Sequence, residues 1–364
     1  MNSKVKDFQI VHPVIIGTGL IALDIILPDS GDVHYLAGGT CGNLLAIMSH
    51  LGWIAKPISR IGQDRAAQVV KRDLEGWAVD TTYLGVEPIA RTPVIVEKLR
   101  KDANGIPFHT FSFYCPNCHR RFPSYQPVPL KALTPDIFEQ ISCQVLFIDR
   151  VAPSSVALAR KAAEEGAVIY FEPSSRGEDK NFTSLLNLAT IVKYSHDRID
   201  DLGLTRSSSI LLEIQTLGRG GIRFRAKIGE FDRGWNHLQA EPVKQLVDTA
   251  GSGDWFSAGL IAALCSKGIS SLRNANNRQI LSAMTTGQAL AAWNCGFVGA
   301  RGGMYGPALR EIKAIYKAHR SRAQGIRQDV VNLDSNNSTI AQICEDCRLT
   351  SRQADQQLSR KLHA

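Results

Sequence analysis

Leu246-Val247-Asp248-Thr249-Ala250-Gly251-Ser252-Gly253-Asp254-Trp255-Phe256-Ser257-Ala258-Gly259-Leu260 is the stretch whose reading decides the fold. It enters apolar, passes two glycines and a small hydroxyl residue, and leaves as an Ala/Gly/Leu/Ile run to Leu264. That pattern predicts a strand or turn entering a buried helix, with Gly251 to Asp254 at the helix N-terminus. The first N–H groups of a helix lack intrahelical partners and lie at the positive end of its dipole. Gly251 and Gly253 let a ligand approach the backbone closely. The result is an anion site suited to a phosphate in transit. A carboxylate beside it would repel phosphate, unless it removes a proton from a hydroxyl that attacks the phosphate. Asp254 is therefore the candidate base. The N–H groups of Gly251, Ser252 and Gly253 are candidates to stabilise charge on the transferring group. A bare Gly-x-Gly-Asp also fits a turn with an aspartate N-cap.

Upstream, Ala37-Gly38-Gly39-Thr40-Cys41-Gly42-Asn43 leads into apolar residues at helical spacing that end at Leu51-Gly52. Ile58 to Asp64 reads as a strand and a Gly-x-Asp turn, followed by Gly76-Trp77-Ala78-Val79-Asp80-Thr81. The glycine-rich run around Asp254 and this second signature, in this order, resemble the PfkB (ribokinase-like) carbohydrate and nucleoside kinases. The resemblance covers roughly residues 10–310. It implies a central, mostly parallel sheet with helices on both faces and a small β-sheet lid from about 28–40 and 90–115. The implied activity is ATP-dependent transfer of a phosphoryl group to a hydroxyl of a sugar or nucleoside, with Mg²⁺ on the phosphates. By position, Asp24, Gly39 and Asn43 would hold the acceptor. Thr216-Leu217-Gly218-Arg219-Gly220-Gly221 resembles the family's nucleotide loop, so Thr216, Gly218 and Gly221, with Arg176, would bind ATP. Asp248 and Thr249 stand where some members hold K⁺. A homodimer is compatible with the family.

Read from the residues, Val11 to Ile26 is one strand-like apolar run, and Asp24 within it is costly without a partner. Gly17-Thr18-Gly19 lacks the third glycine and the following helix of a dinucleotide fingerprint. Thr92 to Phe113 alternates around Asp102-Ala103-Asn104-Gly105 and predicts a hairpin. Its Phe111, Phe113 and Tyr114 are either lid core or a surface for an aromatic base. From Val145 strands and helices alternate, which predicts a parallel sheet covered on both faces.

Two loops depart from the family. Asp-Pro-Asn-x-Arg becomes Glu172-Pro173-Ser174-Ser175-Arg176. The Asn-x-x-Glu that organises Mg²⁺ through water becomes Ser195-His196-Asp197-Arg198, with Asp197 the nearest carboxylate. Mg²⁺ keeps waters readily, so an altered outer shell does not abolish binding. These departures motivate an alternative: a catalytically weak member acting as a nucleotide-binding or scaffold protein.

Eight cysteines occur in the 364 residues. Cys41, Cys143, Cys265 and Cys295 sit singly in apolar surroundings and read as core residues. Cys115-x-x-Cys118 and Cys344-x-x-Cys347 are either unrelated thiols or the ligand set of a structural zinc site, which requires two distant segments to meet. The family as a whole lacks this feature.

The chain is 44% hydrophobic and 21% charged, the balance of a globular domain. No apolar stretch predicts a membrane span or a signal peptide, so the expectation is a cytoplasmic enzyme. The net charge of +8 is dispersed, which suits anionic nucleotides better than nucleic acid. A polar tail, 323–364, is expected to be helical from Thr339.

Overall fold

The computed structural model describes residues 12–315, apart from 140, 177–178, 204–208, 232–233, 307–309 and 313, and then residues 338–349. The expected tail before 338 and after 349 lies outside the described residues.

The strands are β1 (Val14–Thr18), β2 (Ala22–Leu27), β3 (His34–Gly38), β4 (Ile54–Pro57), β5 (Ser59–Ile61), β6 (Leu84–Val86), β7 (Val94–Lys101), β8 (Pro107–Ser112), β9 (Val145–Ile148), β10 (Val168–Phe171), β11 (Ile191–Ser195), β12 (Leu212–Thr216), β13 (Ile222–Ala226) and β14 (Asn236–Leu238). Among the described residues the helices include α1 (Thr40–His50), α2 (Arg65–Gly76), α3 (Pro135–Glu139), α4 (Pro153–Glu164), α5 (Lys180–Leu188), α6 (Ser252–Leu264), α7 (Gly268–Arg273), α8 (Asn277–Asn294) and α9 (Ile340–Ile343), the last capped by Thr339.

One sheet has the order β14-β13-β12-β11-β10-β9-β1-β4. Its pairings are parallel from β4 to β12 and antiparallel through β13 and β14. Alternate residues of its central strands enter two different cores. Ile15, Val145, Phe147, Val168 and Tyr170 pack with α1, α6 and α8, whereas Ile16, Leu146, Ile148, Ile169 and Phe171 pack with α4 and α5. Side chains of a strand alternate between faces, so a strand covered on both sides must be apolar throughout. Each fully buried Ile, Leu or Phe contributes ~1.5–3 kcal/mol. The four single cysteines are buried there as expected.

The second sheet, β3-β2-β7-β8, is the lid. Its β7–β8 hairpin turns where expected: Asp102 accepts from the Asn104 and Ile106 N–H groups. The apolar run 11–26 is not one strand. It divides into β1 in the large sheet and β2 in the lid, with Gly19 to Ile21 between them. Apolar periodicity does not register this break, because both halves are buried. The break is set at Gly19, whose φ is 153° and whose Cβ, if present, would lie 1.5 Å from Asp149 Oδ1. No side chain fits there.

Candidate active site

Between the two sheets lies a cleft of about 450 Å³, at the carboxyl ends of the parallel strands. Asp254 stands at its base in the first turn of α6. Gly251 is the residue before that helix, with φ 70°, and a Cβ there would lie 2.2 Å from the Ala300 carbonyl. No side-chain cap occupies this helix start. Of the three amides expected to cradle a phosphate, that of Ser252 already donates to the Thr249 carbonyl (3.2 Å). Trp255 points the other way, fully buried, with Nε1 donating to the Ala300 carbonyl (3.1 Å).

The Asp254 carboxyl is 8% exposed and accepts from Asn43 Nδ2 (2.9 Å). Burial, aided by the nearby Glu172 carboxylate, pushes its pKa up to about 8, against the Lys193 ammonium and the Asn43 hydrogen bond. Lys193 is buried on β11, where its Nζ binds Glu172 Oε1 (2.7 Å), the Gly253 carbonyl (2.8 Å) and Ser257 Oγ (3.0 Å). A fixed cation thus sits beside the turn that opens α6.

Asn43 is itself held. Its Oδ1 accepts from Arg301 Nε (3.1 Å), so its amide nitrogen is directed at Asp254. Arg301 is 1% exposed and its Nη2 binds Asp73 Oδ2 and the Ala37 carbonyl. Tyr305 and the Ala37 N–H complete the shell of Asp73.

Asp24, Gly39 and Asn43 all line the cleft. The Gly39 N–H bonds the Asp24 carboxyl, but burial dominates and lifts Asp24 to about 7. Asp24 Oδ1 finds no partner. Glu97 on β7 faces the same space with Oε1 also unpartnered, and burial with the adjoining Asp248 carboxyl raises it to about 10. Burial pushes Asp248 up too, yet it is held down at about 2 by His109, Glu97 and the Ala250 and Gly299 N–H groups. His109 lies on β8, so Asp248 ties the lid to the loop before α6.

The nucleotide residues divide. Thr216 lines the cleft, whereas Gly218 and Gly221 shape the turn beyond it without lining it. Arg176 is exposed and outside the lining; its Nη1 donates to the Asp201 carbonyl (3.0 Å). Arg176 thus stands apart from the cleft lining, on which Arg198, Lys193 and Arg150 are the cations among the described residues. Ser195 and Arg198, which stand at the positions of the family's metal-organising Asn and Glu, line it as well, and Ser195 with the neighbouring Asp197 offers oxygen atoms to a hydrated Mg²⁺. Phe111 and Phe113 are each 49% exposed on the cleft wall, so neither is lid core. Outside the cleft, the two Cys-x-x-Cys segments meet.

Sequence reading missed Lys193, Glu97, Asp149 and Arg301, and marked Glu172 only as a departure from the family motif. Lys193 carries the clearest signal, a single cation within the apolar strand Ile191-Val192-Lys193-Tyr194. Asp149, which holds the Leu20 N–H (2.9 Å), follows the apolar strand β9 directly, and a charged residue at that position borders the ligand side of a parallel sheet.

The profile described as pfkB family carbohydrate kinase matches residues 16–304. A fructokinase of Klebsiella pneumoniae is 26% identical over 264 residues, 67% of this chain and 82% of its own. Two crystal structures share the fold. An aminoimidazole riboside kinase from Salmonella enterica, complexed with aminoimidazole riboside and an ATP analogue, is 20% identical with a TM-score of 0.59, covering 83% of this chain and 99% of that one. A Vibrio cholerae fructokinase double mutant, bound to fructose, ADP and potassium ion, is 21% identical with a TM-score of 0.59, covering 79% and 94%.

Proposed function

This chain belongs to the pfkB family of carbohydrate kinases, and we propose that its acceptor is a small polyhydroxylated sugar. The activity is ATP-dependent phosphoryl transfer to a hydroxyl. The observation that carries the acceptor class is the pair of unpartnered, buried carboxyl oxygens, Asp24 Oδ1 and Glu97 Oε1, on one side of the cleft. A buried polar atom without a partner costs ~1–3 kcal/mol, and sugar hydroxyls would satisfy both. Relatives named fructokinase support the same class.

In this reading Asp254 takes the proton of the attacking hydroxyl, and Asn43 aims its carboxylate. The amides of Gly251 and Gly253, with Lys193, stabilise charge on the transferring group. Thr216 borders the nucleotide. Ser195 and Asp197 would hold a hydrated Mg²⁺ through its waters, and the ion would supply charge neutralisation at the phosphate oxygens. K⁺ would rest at the 248–249 loop. Exchange of KCl for NaCl at constant ionic strength tests this, with a several-fold loss of kcat/KM expected.

A second acceptor class, a nucleoside, is favoured by Phe111 and Phe113, whose exposed rings on the cleft would stack on a base. An ADP-release panel of free ketoses, aldoses and ribonucleosides with Mg-ATP separates the two. Turnover of a sugar, with KM raised in Asp24→Asn, supports the proposal. Turnover of nucleosides alone overturns it. Nucleotide binding without turnover of any acceptor moves the weight to a scaffold role.

A further inference from the structure

Cys115 and Cys118 follow the last lid strand, and Cys344 and Cys347 lie in the C-terminal segment, more than two hundred residues later. The fold brings all four together. Cys115 Sγ is 3.7 Å from Cys347 Sγ, and Cys118 Sγ is 3.6 Å from Cys344 Sγ. All four sulfurs lie within 4.8 Å of one another. A zinc–sulfur bond is ~2.3 Å, so tetrahedral geometry sets neighbouring sulfurs ~3.8 Å apart. A disulfide would need ~2.05 Å. The observed spacing fits the first and not the second.

The backbone is built around these sulfurs. After Cys115-Pro116-Asn117-Cys118 the chain turns back, so that the His119 N–H donates to the Cys115 carbonyl (2.9 Å) and the Cys115 N–H to the Arg120 carbonyl (2.8 Å). His119 adopts φ 57°, a left-handed conformation that a residue with a side chain takes at some cost. The Arg120 N–H hydrogen-bonds Cys118 Sγ, and the Cys347 N–H hydrogen-bonds Cys344 Sγ. Cys115 and Cys344 are buried, Cys118 and Cys347 half-buried.

We infer that Cys115, Cys118, Cys344 and Cys347 bind one Zn²⁺ in a closed tetrathiolate site that fastens the C-terminal segment to the base of the lid. Four sulfurs leave no open coordination position, so the site is structural and carries no substrate. The segment has further contacts with the same face: Glu345 pairs with Arg91, and the Ile340 backbone bonds the Tyr35 side chain on β3. The Arg91–Glu345 pair is exposed, and such pairs stabilise by only ~0–1 kcal/mol. Ile340 and Ile343 pack on the edge of the core, and the metal would add a fixed attachment to that small apolar contact. The inference is independent of the acceptor proposal, since none of the four cysteines lines the cleft.

The test is elemental analysis of the full-length chain, purified without added metal and passed through desalting. One zinc per chain is expected, falling to background in Cys118→Ser and in Cys347→Ser. Should those variants fail to fold, growth of the wild-type chain in cobalt gives a second answer: strong sulfur-to-cobalt charge transfer with a tetrahedral visible band. Metal-free protein with four reactive thiols overturns the site, as does a Cys115–Cys347 disulfide found by mass spectrometry. Bound iron overturns the choice of metal. Stripping zinc with a thiol reagent and chelator should expose residues 338–349 to protease at least ~10-fold faster, since local opening governs cleavage. Unchanged cleavage after stripping overturns the fastening role.

Discussion

Asn43 and Asp254 stand 211 residues apart in sequence and meet side chain to side chain, Nδ2 donating to Oδ2 at 2.9 Å. Because Arg301 fixes the other end of the amide, Asn43 has one available orientation. Asp254→Asn is expected to lower kcat by ~10²–10⁴, the contribution of a positioned base. Asn43→Ala should lower kcat by a smaller factor, with nucleotide affinity nearly unchanged. Steady-state kinetics alongside calorimetric ADP binding checks both.

The buried Asp254 sits at about 8, so a large fraction is protonated at neutral pH. A base must be deprotonated to act, and kcat/KM for the free enzyme should therefore rise with pH and level off above about 8. The Glu172 charge holds that value up. Removing it in Glu172→Gln should move the acid limb toward lower pH. A limb that stays put or moves upward would contradict the assignment of Asp254 as the titrating group.

Stability should respond in the opposite direction. Asp24, Asp149 and Asp254 are raised to about 7, 6 and 8 by burial, so the folded chain retains protons that the unfolded chain releases. Where the folded state binds more protons, stability falls as pH rises. The fall from this set begins near the ordinary carboxylate range and runs through about 8, levelling off only above it. Asp254→Asn should lose less melting temperature between pH 6 and pH 8.5 than the parent chain, a difference that differential scanning fluorimetry can measure.

Arg301 and Asp73 form an ion pair at 1% and 5% side-chain exposure. Removing one partner of a buried pair leaves the other charge uncompensated and costs ~3–5 kcal/mol. Arg301→Met is expected to lose that much in urea unfolding. Arg301→Met combined with Asp73→Asn should recover part of it.

Gly251→Ala should nearly abolish activity. Its Cβ would meet the Ala300 carbonyl at 2.2 Å in a left-handed backbone, so the turn that presents the amides must rearrange. Losing such a donor costs ~10²–10³ in kcat. At Gly253 a Cβ meets only side-chain ends, Lys193 Nζ at 3.1 Å and Glu172 Oε1 at 4.0 Å, and Gly253→Ala should be less damaging to the fold. Turnover and circular dichroism of the two variants, side by side, provide the comparison.

Periodicity and glycine placement made much of the architecture legible. The helix after Gly39, the helix after Gly251 and the Asp102–Gly105 hairpin stand where local chemistry put them. What stayed hidden depends on three-dimensional proximity. The partners of Asn43 lie at 254 and 301, and no local pattern links those positions. Arg176 resembled a phosphate ligand by motif, but its side chain turns to the Asp201 carbonyl. The aromatic residues of β8 fit either face of a strand, and only the register of Glu97 against Phe111 places Phe111 toward the cleft.

The passage from β1 to β2 takes only Gly19, Leu20 and Ile21, and the return from β3 to α1 takes Gly39. Both crossings converge on one spot: Leu20 donates its N–H to Asp149, and Gly39 abuts the Leu20 carbonyl. The two ends of the β2–β3 hairpin that carries Asp24 are thereby pinned at one point beside the cleft.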